Sequence, residues 1–198
     1  MQLEKGYLYH IYNQGNNSRK IFFKRDNYLF FIEKIKIYIK PFADIIAWCL
    51  MPNHFHLMVL VKEEEIPISS SDTMTLSHRI TKRTLNNSIA IMLRSYTRAI
   101  NKQENFKGSL FKAHTKAECI NCFKGASPSF ISNKMTQSHL ITEKQYPQAC
   151  FNYIHQNPVK AKLSKKETDW EFSSARAYDN PKNEKLINRE VALKYIDF

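Results

Sequence analysis

Two apolar runs, Asp44 to Met51 and His54 to Val61, stand on either side of one Pro52-Asn53 pair. Runs of this length, separated only by a turn-forming dipeptide, predict a hairpin between two well-buried strands. They are too short to cross a bilayer, which needs about 20 apolar residues, and the proline, the asparagine and two histidines interrupt them. Glu63-Glu64-Glu65 ends the second strand in solvent.

The remaining elements arrange themselves around that hairpin. Tyr7 to Tyr12 alternates aromatic and polar residues and reads as a first strand, closed by the turn-forming cluster Asn13 to Asn17. Asp26 is placed to cap a helix running to about Ile39, with Tyr28, Phe31, Ile32, Ile35 and Ile39 at helical spacing and Pro41 as its stop. After a polar stretch to Ser77, a second helix is expected over His78 to Lys102, with Ile89, Leu93, Tyr96 and Ile100 as its apolar stripe. Arg94, Arg98 and Lys102, four apart, share another face.

Gly108 to Ile120 reads as a further strand, and Asn121 to Tyr146 as a long or partly helical connection. Pro147 suits the first turn of a short helix through Tyr153 to about Asn157, ended by Pro158. Ser164 to Phe198 carries a Trp170/Phe172 anchor and a terminal helix after Asn188. The order β-α-β-β-α-β predicts an α+β fold, a ferredoxin-like antiparallel sheet with helices on one face plus C-terminal helical elements. Residues 1–163 would form the main domain and 164–198 an extension packed on it. A chain of 198 residues with 43% apolar and 13% aromatic side chains has enough for one globular core.

The charge points to a polyanion. Of the formal net charge of +12, +10 lies between Ile66 and Leu163, where 14 Lys and Arg face 4 Asp and Glu. A basic middle between nearly neutral ends suits a phosphate-tracking surface. Its candidate contacts are Arg79, Lys82, Arg83, Arg94, Arg98, Lys102, Lys112, Lys116 and Lys160. The N-terminus has no secretory h-region, which argues for the cytoplasm and no membrane partner. Cys49, Cys119, Cys122 and Cys150 are then expected as free thiols, and the lone Cys119-x-x-Cys122 lacks the second pair a zinc site needs.

His54-Phe55-His56 carries the chemistry. On a strand both imidazoles point to one face and Phe55 to the core behind them, so one divalent ion could sit between the histidines. The bare pattern is not specific, since cupins and phosphoesterases with two such motifs also use it. A cupin would add a carboxylate and a third histidine, and such a phosphoesterase a second H-x-Thr/Ser; neither is convincing here. The second piece is Tyr153 to Lys160, where Tyr153 and Asn157 share a helix face and offer a nucleophile and a neutral oxygen ligand. Tyr146, Tyr96 and Tyr178 are rival tyrosines; Tyr146 has Cys150 rather than an asparagine four residues on.

Ala47 to Val59, with Met51-Pro52-Asn53-His54-Phe55-His56 at its centre, resembles the HUH segment of the REP-associated tyrosine transposases. Tyr153 to Lys160 is similar to their catalytic Tyr-x-x-x-Asn-Pro-Val-Lys/Arg segment. Tyr9 to Phe22, Gly108 to Phe111 and Asp169 to Ser174 resemble the family too, in the right order along nearly the whole chain. Lys162 departs from the pattern, standing where the family often has glycine.

The resemblance implies a metal-dependent single-stranded DNA endonuclease and strand transferase. His54, His56 and Asn157 would bind the ion, and Tyr153 would become a 5′-phosphotyrosine. It implies Mg²⁺ or Mn²⁺, although two imidazoles by themselves suit zinc or manganese better. The partner implied is single-stranded or hairpin DNA, with monomer and homodimer both open. A competing reading is a catalytically silent, domesticated hairpin DNA- or RNA-binding protein of the same fold. A carboxylate-dependent nuclease is disfavoured, because no Asp-x-Asp cluster lies near an apolar strand.

Overall fold

The computed structural model describes residues 3–69, 80–122, 129, 145–180 and 186–198. Four strands, β1 (Leu8–Gln14), β2 (Ala43–Met51), β3 (His54–Val61) and β6 (Lys116–Cys119), form one sheet in the order β2-β3-β1-β6. All three pairings are antiparallel, and this order is that of a ferredoxin-like sheet. The expected hairpin is present, with Met51 opposite His54 across the Pro52-Asn53 turn. The turn carbonyls are not left to solvent. Pro52 accepts from the Ile21 and Phe22 amides, and Asn53 from the Gly15 amide, at 2.7 to 3.1 Å. Gly15 is required there, because a Cβ would stand 2.1 Å from the Arg19 carbonyl oxygen.

Side-chain alternation divides the sheet into two cores. Tyr9, Ile11, Phe55, Leu57 and Val59 face helices α1 (Arg25–Tyr38) and α2 (Leu85–Glu104). Phe31 lies at the centre of that aromatic cluster, 5.1 Å from Phe55 and 4.9 Å from Tyr96 between ring centres. Leu8, Cys49, Met51 and Met58 face the other way, toward helix α3 (Tyr146–Lys160) and the terminal helix α5 (Arg189–Ala192). The C-terminal helical elements therefore cover the face that α1 and α2 leave open.

Trp170, Phe172 and Ser174 tie the C-terminal part to β2 and α1. Trp170 Nε1 donates to the Leu50 carbonyl at 3.0 Å, and Phe172 stacks on Tyr28 at 3.8 Å. Ser174 Oγ accepts from the Trp48 amide at 2.9 Å, at the start of the short helix α4 (Ala175–Asp179). Asn188 caps α5, accepting from the Val191 amide. Among the described residues no helix is long and apolar enough to cross a membrane.

Several boundaries differ from the sequence reading. The first strand continues through Gln14, because that stretch pairs with β3 as far as His54. Lys24, not Asp26, precedes the first turn of α1, and the Asn27 side chain accepts from the Phe23 and Lys24 amides. The helix expected from His78 begins at Leu85, capped by the Thr84 hydroxyl. Ahead of it Ile80–Thr84 is strand β5, paired antiparallel with β4 (Glu65–Ser69) in a separate two-stranded sheet.

Gly108 to Ile120 is strand only over Lys116–Cys119, with one isolated bridge between Phe111 and Gly15. Pro158 does not end α3. It lies in the last turn, where it forgoes only its own amide bond to the Ile154 carbonyl, and a Schellman closure follows: Leu163 N to Pro158 O and Lys162 N to Val159 O. Lys162 consequently stands at φ 58°, the left-handed conformation that glycine adopts at least cost. Cys119 and Cys122 form a disulfide rather than two free thiols, their Cα atoms 5.7 Å apart in the turn after β6; Cys49 and Cys150 are free and buried. Most of the Asn121 to Tyr146 connection lies outside the described residues.

Candidate functional site

The face of β3 that carries His54, His56 and Met58 meets the flank of α3 that carries Tyr153 and Asn157. The two imidazoles come from one strand, 4.9 Å apart between ring centres. The Tyr153 ring stands edge-on to His56 at 5.4 Å. Asn157 interacts with the His54 ring and with the Tyr153 hydroxyl, and its Nδ2 donates to the Tyr153 carbonyl at 2.8 Å. The four residues singled out in the sequence are thus neighbours, although a hundred residues separate the strand from the helix.

Burial sets the electrostatics. His56 is held well below the ordinary imidazole pKa by desolvation, reinforced by His10 and His54. His54 is lowered by the same cause, partly offset by Asn157. Both rings are therefore neutral near pH 7 and have lone pairs to give. Burial raises the Tyr153 phenol, while the hydrogen bond from Asn157 opposes that rise. The His54 Nδ1 is 2.6 Å from Asn53 Oδ1, and the buried His56 Nε2 has no hydrogen-bond partner among the described residues.

These donors fit a divalent cation. An orphaned, buried imidazole nitrogen, a second neutral imidazole and an amide oxygen are the set that such an ion takes up. Among the described residues no group of three or more His, Cys, Asp and Glu gathers to hold a metal; this site would rely on the Asn157 amide for its third protein ligand.

Three further residues line the same face and were not found from the sequence. His10 contacts His56 at 2.9 Å, and Tyr12 stacks on His10 with 4.6 Å between ring centres. Tyr12 donates to Glu118 Oε1 at 2.7 Å, and burial pushes its phenol up to about 12. The signal was present: His10, Tyr12 and Gln14 alternate on one face of β1. Only the register opposite His56 and His54 makes it informative. The rival tyrosines are otherwise engaged. Tyr96 is fully buried and donates to the Ile21 carbonyl, and Tyr178 donates to the Ile46 carbonyl. Tyr146, the first residue of α3, is half-buried against the core.

The candidate phosphate contacts do not form one cluster. Arg94 and Arg98 of α2 and Lys112 line a groove of about 480 Å³ together with Asn13, Asn101 and Thr115. Lys116 and Lys160 lie on the imidazole side, Lys116 opposite Tyr12 and Lys160 with its Nζ 5.7 Å from the Tyr153 ring. The groove and the site are joined around the end of β1, where Asn13 bonds to Thr115 and Lys112 bonds to Gln14. Lys102 is exposed nearer the end of α2, Lys82 pairs with Glu65 at 3.6 Å, and Arg83 is half-buried on β5. Arg79 lies outside the described residues.

No family model matches the chain, and no curated protein matches it. Among solved structures, a REP-associated tyrosine transposase bound to a REP hairpin is similar, with a TM-score of 0.55 and 16% identity. The match covers 95% of this chain and 88% of that one, so the two share a fold. A bacterial tRNA(His) guanylyltransferase-like protein in complex with GTP aligns with a TM-score of 0.34 and 10% identity over 82% of this chain and 71% of that one, too distant to carry an argument.

Proposed function

We propose that this chain, which has the fold of a REP-associated tyrosine transposase, is a single-tyrosine enzyme that cuts and rejoins single-stranded DNA next to a hairpin. The observation that carries the reading is the convergence of His54, His56, Tyr153 and Asn157 from a strand and a helix distant in sequence. Structural cores rarely keep a buried imidazole nitrogen without a partner beside a half-buried phenol and an amide.

His54, His56 and Asn157 would hold Mg²⁺ or Mn²⁺, which when bound draws charge from the oxygens of the scissile phosphate. Tyr153 supplies the nucleophile. Its hydroxyl oxygen forms a bond to phosphorus, the bond from phosphorus to the 3′-oxygen breaks, and the product is a 5′-phosphotyrosine with a free 3′-hydroxyl. The phenolic proton passes to solvent, and the leaving oxygen gains one. The covalent link conserves the phosphodiester, so a 3′-hydroxyl can reverse the step and join strands. Asn157 steadies the hydroxyl and lowers the cost of its ionisation. Lys116 and Lys160 on the site side, with Arg94, Arg98 and Lys112 in the groove, would follow the DNA backbone.

The test is a covalent protein–DNA adduct on denaturing gels after incubation with hairpin-flanked single-stranded DNA and Mn²⁺. The wild type should form it and Tyr153→Phe should not. A wild type that binds hairpins and never forms the adduct would instead support a catalytically silent binding protein of this fold.

A further inference from the structure

His10 takes no part in the chemistry above, yet it is 1% exposed and its Nε2 lies 2.9 Å from Nδ1 of His56. The two rings are nearly parallel, 20° apart, and Tyr12 stacks on His10 at 4.6 Å while lying 5.8 Å from His56 between ring centres. At that distance one nitrogen donates a proton to the other, so the contact selects one of two tautomers for His56. If His10 donates, the His56 proton must sit on Nε2. That N–H would then be buried without an acceptor among the described residues. If His56 donates through Nδ1, the His10 proton moves to its own buried Nδ1 and His56 Nε2 keeps a lone pair, so burial alone does not choose between the two.

The neighbouring ring shows which arrangement this strand uses. His54 Nδ1 faces the Asn53 amide oxygen at 2.6 Å, and an amide oxygen only accepts. His54 therefore carries its proton on Nδ1 and presents Nε2.

We propose that His10 is a positioning residue that accepts the Nδ1 proton of His56 and so locks that ring with its Nε2 lone pair free for a divalent cation. Asn53 does the same for His54. Both imidazoles are thereby set in one tautomer by acceptors behind them, one from the hairpin turn and one from the adjacent strand β1. The inference rests on the metal-site reading for its purpose, but the hydrogen bond itself is a property of the metal-free protein.

The experiment uses the full chain labelled with ¹⁵N-histidine. Long-range ¹H–¹⁵N correlation in the metal-free protein should place the His56 proton on Nδ1; a proton on Nε2 overturns the proposal. Two variants follow. His10→Phe keeps a ring and removes the acceptor, whereas His10→Gln retains an acceptor oxygen. Mn²⁺ affinity, read from the electron paramagnetic signal of the free ion, should fall about 10- to 100-fold in His10→Phe. In His10→Gln it should stay within about 3-fold of wild type, as retention of the acceptor requires. Wild-type Mn²⁺ affinity in His10→Phe, or an unchanged Nδ1–H on His56 there, overturns the proposal. Should His10→Phe fail to fold, the wild-type tautomer and His10→Gln decide the matter. A wild type that takes up no Mn²⁺ would refute the metal site, while the tautomer would still decide the role of His10.

Discussion

His155 gives a quantitative test of how dry the interior under α3 is. Its ring is buried against Phe151, at 4.3 Å between ring centres, and its Nε2 is 2.8 Å from Ser174 Oγ. Burial pushes its pKa down to about 3. In the unfolded chain an imidazole titrates near 6.5, so at pH 5 it is about 97% protonated there and almost wholly neutral in the fold. The stability is fully present above pH 6.5 and is lost as the pH falls from 6.5 toward 3. At pH 5 the loss assignable to this one ring is about 2 kcal/mol.

The assay is urea unfolding followed by tryptophan fluorescence at pH 7.5 and pH 5.0, at one ionic strength and with a chelator present. His155→Gln lowers the starting stability but carries no titrating ring. It should lose about 2 kcal/mol less than wild type between the two pH values, and the carboxylates cancel in that difference. Equal losses in the two proteins would refute the reasoning, because the fold would then be accommodating a charged His155.

Mn²⁺ at a hundred times its dissociation constant should stabilise the fold by about 2.7 kcal/mol, a rise of roughly 5–10 °C in melting temperature. His54→Ala or His56→Ala should abolish that rise in differential scanning fluorimetry, Asn157→Ala should shrink it, and a Cys119→Ser/Cys122→Ser protein should keep it; the reverse pattern would move the metal elsewhere. Hairpin DNA affinity should fall about 10³-fold between 50 and 200 mM salt if about 6 phosphates are engaged. The triple change Arg94→Ala, Arg98→Ala and Lys112→Ala should flatten the log–log salt slope by up to about 3, and an unaltered slope would exclude the groove from the DNA path. Tyr96→Phe removes a buried hydrogen bond to the Ile21 carbonyl and should cost about 1–3 kcal/mol in denaturant unfolding; no loss would mean that water or another donor replaces it.

What the sequence determined by itself was local. Period-two and period-3.6 patterns located the β2–β3 hairpin, α1 and most of α2, and strand alternation put His54 and His56 on one face with Phe55 behind them. The spacing of Tyr153 and Asn157 likewise put both on one flank of α3. The errors arose where a local pattern was compatible with two partners. Ile80–Thr84 extends the helical pattern backward, and only the distant strand Glu65–Ser69 makes it a strand. Pro158 reads as a helix end, and only the Schellman closure after it shows the helix passing through.

The tertiary structure alone decided which of those residues meet. His10, Tyr12 and Glu118 belong to the site because β1 pairs with β3 and β6 in one register, and a slip of one residue would turn His10 to the opposite core. The basic residues, one excess along the chain, are parted by the sheet into a groove beside α2 and a pair beside Tyr153. The perturbed imidazoles have the same origin. Their desolvation comes from α3 lying across the strands, a contact made by residues some hundred positions away that no local pattern encodes.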